Sequence, residues 1–249
     1  MPAATDAPTR VIVVADAHLG QVPAAVADRF HRFLDQVPRP GDALLVNGDL
    51  FDFWFEWGDV VPEKHRATVE KLSLLVRRGI PVTLMGGNHD RWGGPFLSNR
   101  GITFHAQPAE LTLAGRRAWV AHGDGLTEQH WTGALTHHLL KHKATIAVFR
   151  ALPPGLGFRI ADWLSGTLAD STKDRAVLDR AAAAQRAYAT ALLAGRPDLS
   201  LVILAHTHRP ALERLSGGRT YLNPGAWLDG GRYAVIERER VELKTFETG

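Results

Sequence analysis

The apolar positions of the first third of the chain follow two alternating rhythms. Arg10-Val11-Ile12-Val13-Val14-Ala15 is a continuous β-branched run of the kind buried on both faces of a sheet. Val22, Val26, Phe30, Phe33, Leu34 and Val37 then recur at helical spacing, and Pro38 and Pro40 close that helix. A strand over 43–47 follows. Next comes a helix from about Glu63 to Arg78, with Val69, Leu72, Leu75 and Val76 inward, and then a strand over 80–85. From residue 102 the spacing shortens to strands at 102–104, 110–113 and 117–121, with Ala114-Gly115-Arg116 as a hairpin turn. Residues 126 to about 195 return to helical spacing, broken at Pro153-Pro154-Gly155. The last of these helices, Asp174 to Ala194, is Ala-rich and stops at Gly195-Arg196-Pro197. A strand over 200–205 and short β segments at 211–215, 219–222, 233–236 and 241–246 complete the chain. The pattern predicts an α/β (α+β) fold. Residues 1–9 are expected to be a disordered lead-in, and 10–249 a single domain with a helical insert at about 126–195.

Polar clusters close the predicted strands: Asp16/His18, Asp49, Asn88/His89/Asp90, His122 and His206/His208. Taken singly, a Gly-Asp after a strand is a turn, and one Asp-x-His says little. Five clusters at strand ends are another matter, because open α/β sheets place their ligands there. Carboxylate, amide and imidazole donors suit Mn²⁺, Fe²⁺, Co²⁺ or Zn²⁺. Seven donors (Asp16, His18, Asp49, Asn88, His122, His206 and His208) exceed what one tetrahedral ion uses. They therefore predict two ions sharing a bridging carboxylate.

Composition narrows the classes further. The chain has no cysteine, which excludes a disulfide scaffold, thiolate zinc and a cysteine nucleophile. Hydrophobic residues at 45% supply an ample core. No apolar run approaches the roughly 18 residues of a membrane span. The N-terminus lacks a basic start and an apolar core segment, so a cytoplasmic location is expected. The net charge of +3 fits an anionic substrate or membrane surface. No nucleic-acid motif accompanies it, and neither nucleic acid nor an obligate protein partner is expected.

In this order, Asp-x-His, Gly-Asp, Gly-Asn-His-Asp, His-Gly-Asp and His-Thr-His resemble the calcineurin-like metallophosphoesterase superfamily over nearly the whole chain. The resemblance implies a four-layer α-β-β-α sandwich with both ions at the strand ends. It implies that Asp16, His18 and His208 hold one ion with the bridging Asp49, and that Asn88, His122 and His206 hold the second. His89 would face the phosphate, as a charge or as an acid for the leaving group, and Asp90 would orient His89. The implied chemistry is in-line attack on phosphorus by water made nucleophilic at neutral pH by the ions, with Mn²⁺ the expected metal.

Within the superfamily, Gly48-Asp49-Leu50-Phe51-Asp52-Phe53-Trp54-Phe55-Glu56-Trp57-Gly58-Asp59 looks like the motif of the UDP-2,3-diacylglucosamine hydrolases of lipid A biosynthesis. Ala205-His206-Thr207-His208-Arg209-Pro210 and Asn223-Pro224-Gly225-Ala226-Trp227 do so too. That resemblance implies cleavage of a lipid-linked nucleotide to UMP and 2,3-diacylglucosamine 1-phosphate by a protein peripheral to the cytoplasmic face of the inner membrane. The insert would be a lid over acyl chains, and Ser171-Thr172-Lys173 resembles the family's Ser-Ser-Lys. Asn88, Arg91, Trp54, Trp57, Lys173 and Arg209 are the expected substrate contacts. Trp54 and Trp57 would cap the uracil or the acyl entrance, or else pack under the sheet. The best-known branch carries Arg at the place of His89 and Asn at that of Asp170. A metallophosphatase or phosphodiesterase on another phosphoester is thus the alternative, with a non-catalytic scaffold as a third reading.

Between residues 130 and 164, apolar Trp131, Leu135, Leu139, Leu140, Phe149 and Trp163 alternate with His137, His138, His142, Lys141, Lys143 and Arg150. Such a segment is either a plain helical cap or a cationic amphipathic lid. In the second case each buried acyl methylene contributes about 0.8 kcal/mol.

Overall fold

A computed structural model describes residues 7–126, 148–157, 159–160 and 175–247. Its first half is the expected alternation: β1 (Arg10–Val14), α1 (Ala24–Gln36), β2 (Asp42–Asn47), α2 (Arg66–Arg77) and β3 (Val82–Met85). A single 3₁₀ turn, Glu63–His65, precedes α2, so the predicted helix start is a tighter coil that buries His65. Gly79, at φ 77°, ends the helix, and its N–H donates to the Val76 carbonyl. Pro81 has no N–H to give a ladder, which is why β3 begins two residues later than the apolar run. A four-residue helix, α3 (Pro95–Ser98), follows; it is too short for any periodicity to reveal. Glu56 holds its start, accepting from the N–H groups of Gly94 (2.8 Å) and Phe96 (2.9 Å).

The remaining elements are β4 (Thr103–His105), β5 (Ala109–Leu113), β6 (Arg116–Val120), α4 (Arg175–Gly195), β7 (Leu201–Ile203), β8 (Ala211–Arg214), β9 (Thr220–Asn223), β10 (Arg232–Glu237) and β11 (Val241–Thr245). The β5–β6 hairpin turns on two residues, Ala114 (φ 49°) and Gly115 (φ 75°), both left-handed; Arg116 already belongs to β6. Residues 148–151 and 154–157 of the insert are helical, with the break at the predicted prolines. Lys173, Asp170 and the histidines at 137–142 lie outside the described residues.

Among the described residues the strands form two sheets, ordered β11-β10-β1-β2-β3-β4 and β5-β6-β7-β9-β8. The period of two then sorts side chains into layers. Ile12, Val14, Leu44, Val46, Val82 and Leu84 face α1 and α2, where Phe30, Phe33, Leu34, Val69 and Leu72 cover them. Val11, Val13, Leu45 and Met85 face the second sheet and meet Ala118, Val120, Leu201, Ile203 and Leu222. Val202 and Tyr221, on the far side of that sheet, pack under Ala189 and Leu193 of α4. The layers are α-β-β-α. Each fully buried Phe, Leu or Val contributes roughly 1.5–3 kcal/mol. The two apolar layers flanking the first sheet fix its strands in register, and with them the loops at their C-terminal ends. No helix among the described residues is long and apolar enough to cross a membrane.

Candidate metal centre

The loop after β1 and the loop after β2 run side by side beyond their strands. Asp16 N–H donates to Gly48 O (3.1 Å), Ala17 and His18 N–H to Asp49 O (2.9 and 3.0 Å), and Leu19 N–H to Leu50 O (2.9 Å). The donor loops also carry unusual backbone. Among the described residues, six non-glycine residues have left-handed φ; Ala114 is one, and the others are Asp16, His18, Asp49, His206 and His208. Such backbone costs on the order of 1–3 kcal/mol per residue and persists where surrounding structure over-determines it. Here it turns five side chains inward.

Those side chains converge. Asp16, His18 and His208 bring donor atoms within 4.8 Å of one another; so do His18, Asp49 and His89, and so do Asp49, His122 and His206. The groups overlap at Asp49 and His18. Asn88 adds an amide oxygen that is buried with no hydrogen-bond partner among the described residues, as are Asp16 Oδ1 and His122 Nε2. His122 Nδ1 is 2.9 Å from the Asn47 carbonyl, which only accepts, so Nδ1 carries a proton. Its Nε2 faces Asp49 Oδ2, 3.2 Å away, and Asp16 Oδ1, 3.9 Å away. Two buried carboxylates facing that nitrogen call for positive charge between them, from a proton on Nε2 or from a bound cation, and the carboxylate, amide and imidazole donors fit a divalent one.

The titration behaviour has the same origin. Burial would lower His122, but the carboxylates of Asp49 and Asp16 outweigh it and hold it well above its ordinary value. Burial would raise Asp49, but His122, His89 and His18 hold it well below. Burial raises Asp16 against the pull of His208 and His122. His18 is driven down to about 3 by burial, and His206 to about 4 by burial and then by His122. Both keep free lone pairs at neutral pH.

His89 lies at the edge of this cluster, its ring 4.9 Å from and edge-on to that of His18. Its partner is not the expected one. His89 Nδ1 donates to the main-chain carbonyl of Asp52 (2.8 Å). Asp90 is committed elsewhere: Oδ1 accepts from Gly87 (2.8 Å) and Asp49 (3.1 Å) N–H, and Oδ2 from Leu50 (2.7 Å) and Phe51 (3.3 Å) N–H. With all four acceptor positions filled by backbone, Asp90 shapes the Asp49 loop and does not orient the His89 ring. Burial, with Asp49 alongside, pushes Asp90 up to about 6.

The expected substrate contacts divide. Trp54 is fully buried, stacked on Phe51 with its Nε1 donating to Glu56 (3.2 Å), so it packs in the core and caps no ligand. Trp57 donates to the Phe149 carbonyl (3.1 Å) and joins Phe53, Phe55, Trp92 and Phe149 in an aromatic cluster that links the loop after β2 to the insert. Arg91 pairs with Asp124 beside His122, on the wall of a cavity of about 220 Å³ that Gln107, Trp119 and Tyr188 also line. Arg209 pairs with Asp179 on α4 at 2.6 Å.

Sequence reasoning missed Gln185. This fully buried α4 side chain donates to the Ala205 carbonyl (3.0 Å), and a Cβ on Gly123 would collide with it. It touches both the His122 and the His206 loops, but a glutamine in an Ala-rich helix gives no signal.

A two-sheet sandwich with carboxylates, an amide and imidazoles at its strand ends defines a metal-dependent phosphoesterase architecture. The chain belongs to the calcineurin-like phosphoesterase family, whose model matches residues 9–210. It is an enzyme of that class, hydrolysing phosphoester or pyrophosphate bonds, and the family implies divalent metal ions. The UDP-2,3-diacylglucosamine hydrolase of Escherichia coli O7:K1 (strain IAI39 / ExPEC) is 31% identical over 245 residues, 94% of this chain and 98% of that protein. The protein of the same name from Escherichia coli strain K12 / DH10B gives the same figures. Among solved structures, that of a novel archaeal phosphodiesterase covers 95% of this chain and 99% of its own, with a TM-score of 0.46 at 10% identity.

Proposed function

We propose that the enzyme cleaves the pyrophosphate of UDP-2,3-diacylglucosamine, releasing UMP and 2,3-diacylglucosamine 1-phosphate, as a step of lipid A biosynthesis at the cytoplasmic face of the membrane. The observation that carries this is the near end-to-end match to hydrolases of that name, with 94% of this chain aligned. Asp16, His18, His208 and Asp49 would hold one ion, and Asn88, His122, His206 and Asp49 the other. Bound there, two divalent ions, Mn²⁺ in this reading, supply Lewis-acid charge and a nucleophile at neutral pH.

The chain's own residues do the rest. Asp49 sets the spacing of the two halves, and Asn47 fixes the tautomer of His122. His89 presents Nε2 to the centre and serves the phosphate or the leaving oxygen. The aromatic cluster of Phe53, Phe55, Trp57, Trp92 and Phe149 supports a lid reading, because it packs the insert against the loop that follows β2. Lys173 belongs to this proposal as a headgroup contact.

The test is hydrolysis of UDP-2,3-diacylglucosamine by Mn²⁺-loaded protein in detergent, beside bis-(p-nitrophenyl) phosphate. Selective, fast release of UMP is expected. Turnover of the generic ester alone would remove the lipid substrate and leave a phosphodiesterase of other specificity.

A further inference from the structure

We propose that Asp52, Lys64 and His65 form a positioning device for His89, acting through the main chain of residue 52. The inference rests on the reading of His89 as a group that serves the phosphate. His89 is held twice by one short segment: its ring Nδ1 donates to Asp52 O (2.8 Å), and its own carbonyl accepts from Trp54 N–H (3.1 Å). The Asp52 carbonyl therefore decides both the tautomer of His89 and the direction of Nε2.

What fixes that peptide is the Asp52 side chain, which is 2% exposed and held by the turn before α2. Lys64 Nζ donates to Asp52 Oδ2 at 2.7 Å, and His65 Nε2 lies 2.9 Å from Oδ1. Both partners sit on the 3₁₀ turn before α2, so a rigid element sets the place of the carboxylate. The His65 ring is fully buried against Phe51, with centroids 4.4 Å apart. On the other side Asp52 N–H donates to Leu19 O (3.0 Å), next to His18. Gly20, at φ 111°, completes the enclosure: a Cβ there would collide with the Asp52 carboxylate and with His65 Cε1. An ion pair on a buried carboxylate is seldom the most stabilising way to fill such a space, since apolar side chains of like volume commonly do as well. A fixed carbonyl facing His89 gives this one a use.

The experiment uses Lys64→Met, Asp52→Asn and His65→Gln, with His89→Ala as reference, in full-length protein. Lys64 is half-exposed, so the first variant keeps the fold even where the buried ones lose it. Histidine ring NMR of the Zn²⁺-loaded protein is expected to show a slowly exchanging Nδ1–H that disappears in His89→Ala. In Lys64→Met and Asp52→Asn that proton should exchange at least about tenfold faster while bound zinc stays at the wild-type level. An unchanged exchange rate, or an Nε2-protonated His89 in the wild type, would overturn the proposal. With Mn²⁺, kcat on diphenyl phosphate should fall at least about tenfold more than on bis-(p-nitrophenyl) phosphate, with KM little changed. If His89→Ala lacks that leaving-group dependence, the acid role of His89 fails and the exchange data alone decide the positioning role. If His89→Ala has it and Lys64→Met does not, the positioning role fails.

Discussion

Asp49 carries more of the site than any other residue. Its Oδ2 lies 3.2 Å from His122 and 3.8 Å from His18, its Oδ1 accepts from His89 N–H at 3.0 Å, and its own N–H is held by Asp90. Gly87 faces it so closely that a Cβ would meet both the Asp49 main-chain nitrogen and its carboxylate. Overpacking of this kind costs about 1–3 kcal/mol. Gly87→Ala should therefore weaken Mn²⁺ binding by about ten- to a hundredfold, at 1.4 kcal/mol per decade, which isothermal titration reads directly. Wild-type affinity in that variant would mean the loop yields freely.

A second residue-level prediction concerns acid. Burial would raise the Asp52 carboxyl, but His65 and Lys64 outweigh it and hold it below its ordinary value. Its stabilising contribution is thus present above the unfolded value, about 3.9, and is lost as pH falls through the folded one. Urea unfolding of wild type and Asp52→Asn should differ most above about pH 5 and converge toward about pH 2. A difference independent of pH would show that the charge of Asp52 is not what stabilises.

At the scale of elements, the loops depend on helices that never touch the ions' donors. Gln185 of α4 donates to the Ala205 carbonyl and lies 3.4 Å from Asn223 Nδ2, which in turn reaches Thr207 Oγ1 at 3.2 Å. Removing a buried partner leaves such groups unsatisfied at about 1–3 kcal/mol. Gln185→Ala should lower stability by that amount in denaturant and loosen the His206–His208 loop, seen as faster amide exchange of Thr207. Gln185→Glu is the useful companion, since it keeps the size but puts an acceptor against the Ala205 carbonyl.

The same scale explains what could be read from sequence. β1, α1, β2, α2 and β3 were legible because each buries a long face with a clean period, as Ile12/Val14 against Val11/Val13 does. The polar clusters were legible because the donors of each loop lie within a few residues. α3 was not, being four residues started by a distant Glu56. The partners of Asp90, the burial of Trp54 and the clamp of His65 on Asp52 depend on which loops lie side by side, and spacing along one strand does not encode that. Five left-handed residues among the donors are likewise invisible in sequence, since neither Asp nor His announces positive φ.

At the scale of the molecule, the sandwich supplies rigidity and the strand-end face supplies chemistry. The first sheet, packed on both faces, delivers Asp16, His18, Asp49 and Asn88; the second delivers His122, His206 and His208. The site thus forms only where the two sheets meet, and Asp49 joins their contributions. The aromatic cluster beside it ties the insert to the same edge, with Gly157 so near the Trp57 indole that a side chain there would clash. Metal and phosphate would then act at one face of one body.

The most direct test of this account is electron paramagnetic resonance of metal-stripped protein titrated with Mn²⁺, beside elemental analysis. A shared Asp49 predicts two ions per chain and an exchange-coupled dimanganese spectrum that grows with activity, with coupling, second ion and turnover all lost in Asp49→Ala. One uncoupled ion per chain at full activity, or a coupled pair that survives Asp49→Ala, would contradict it.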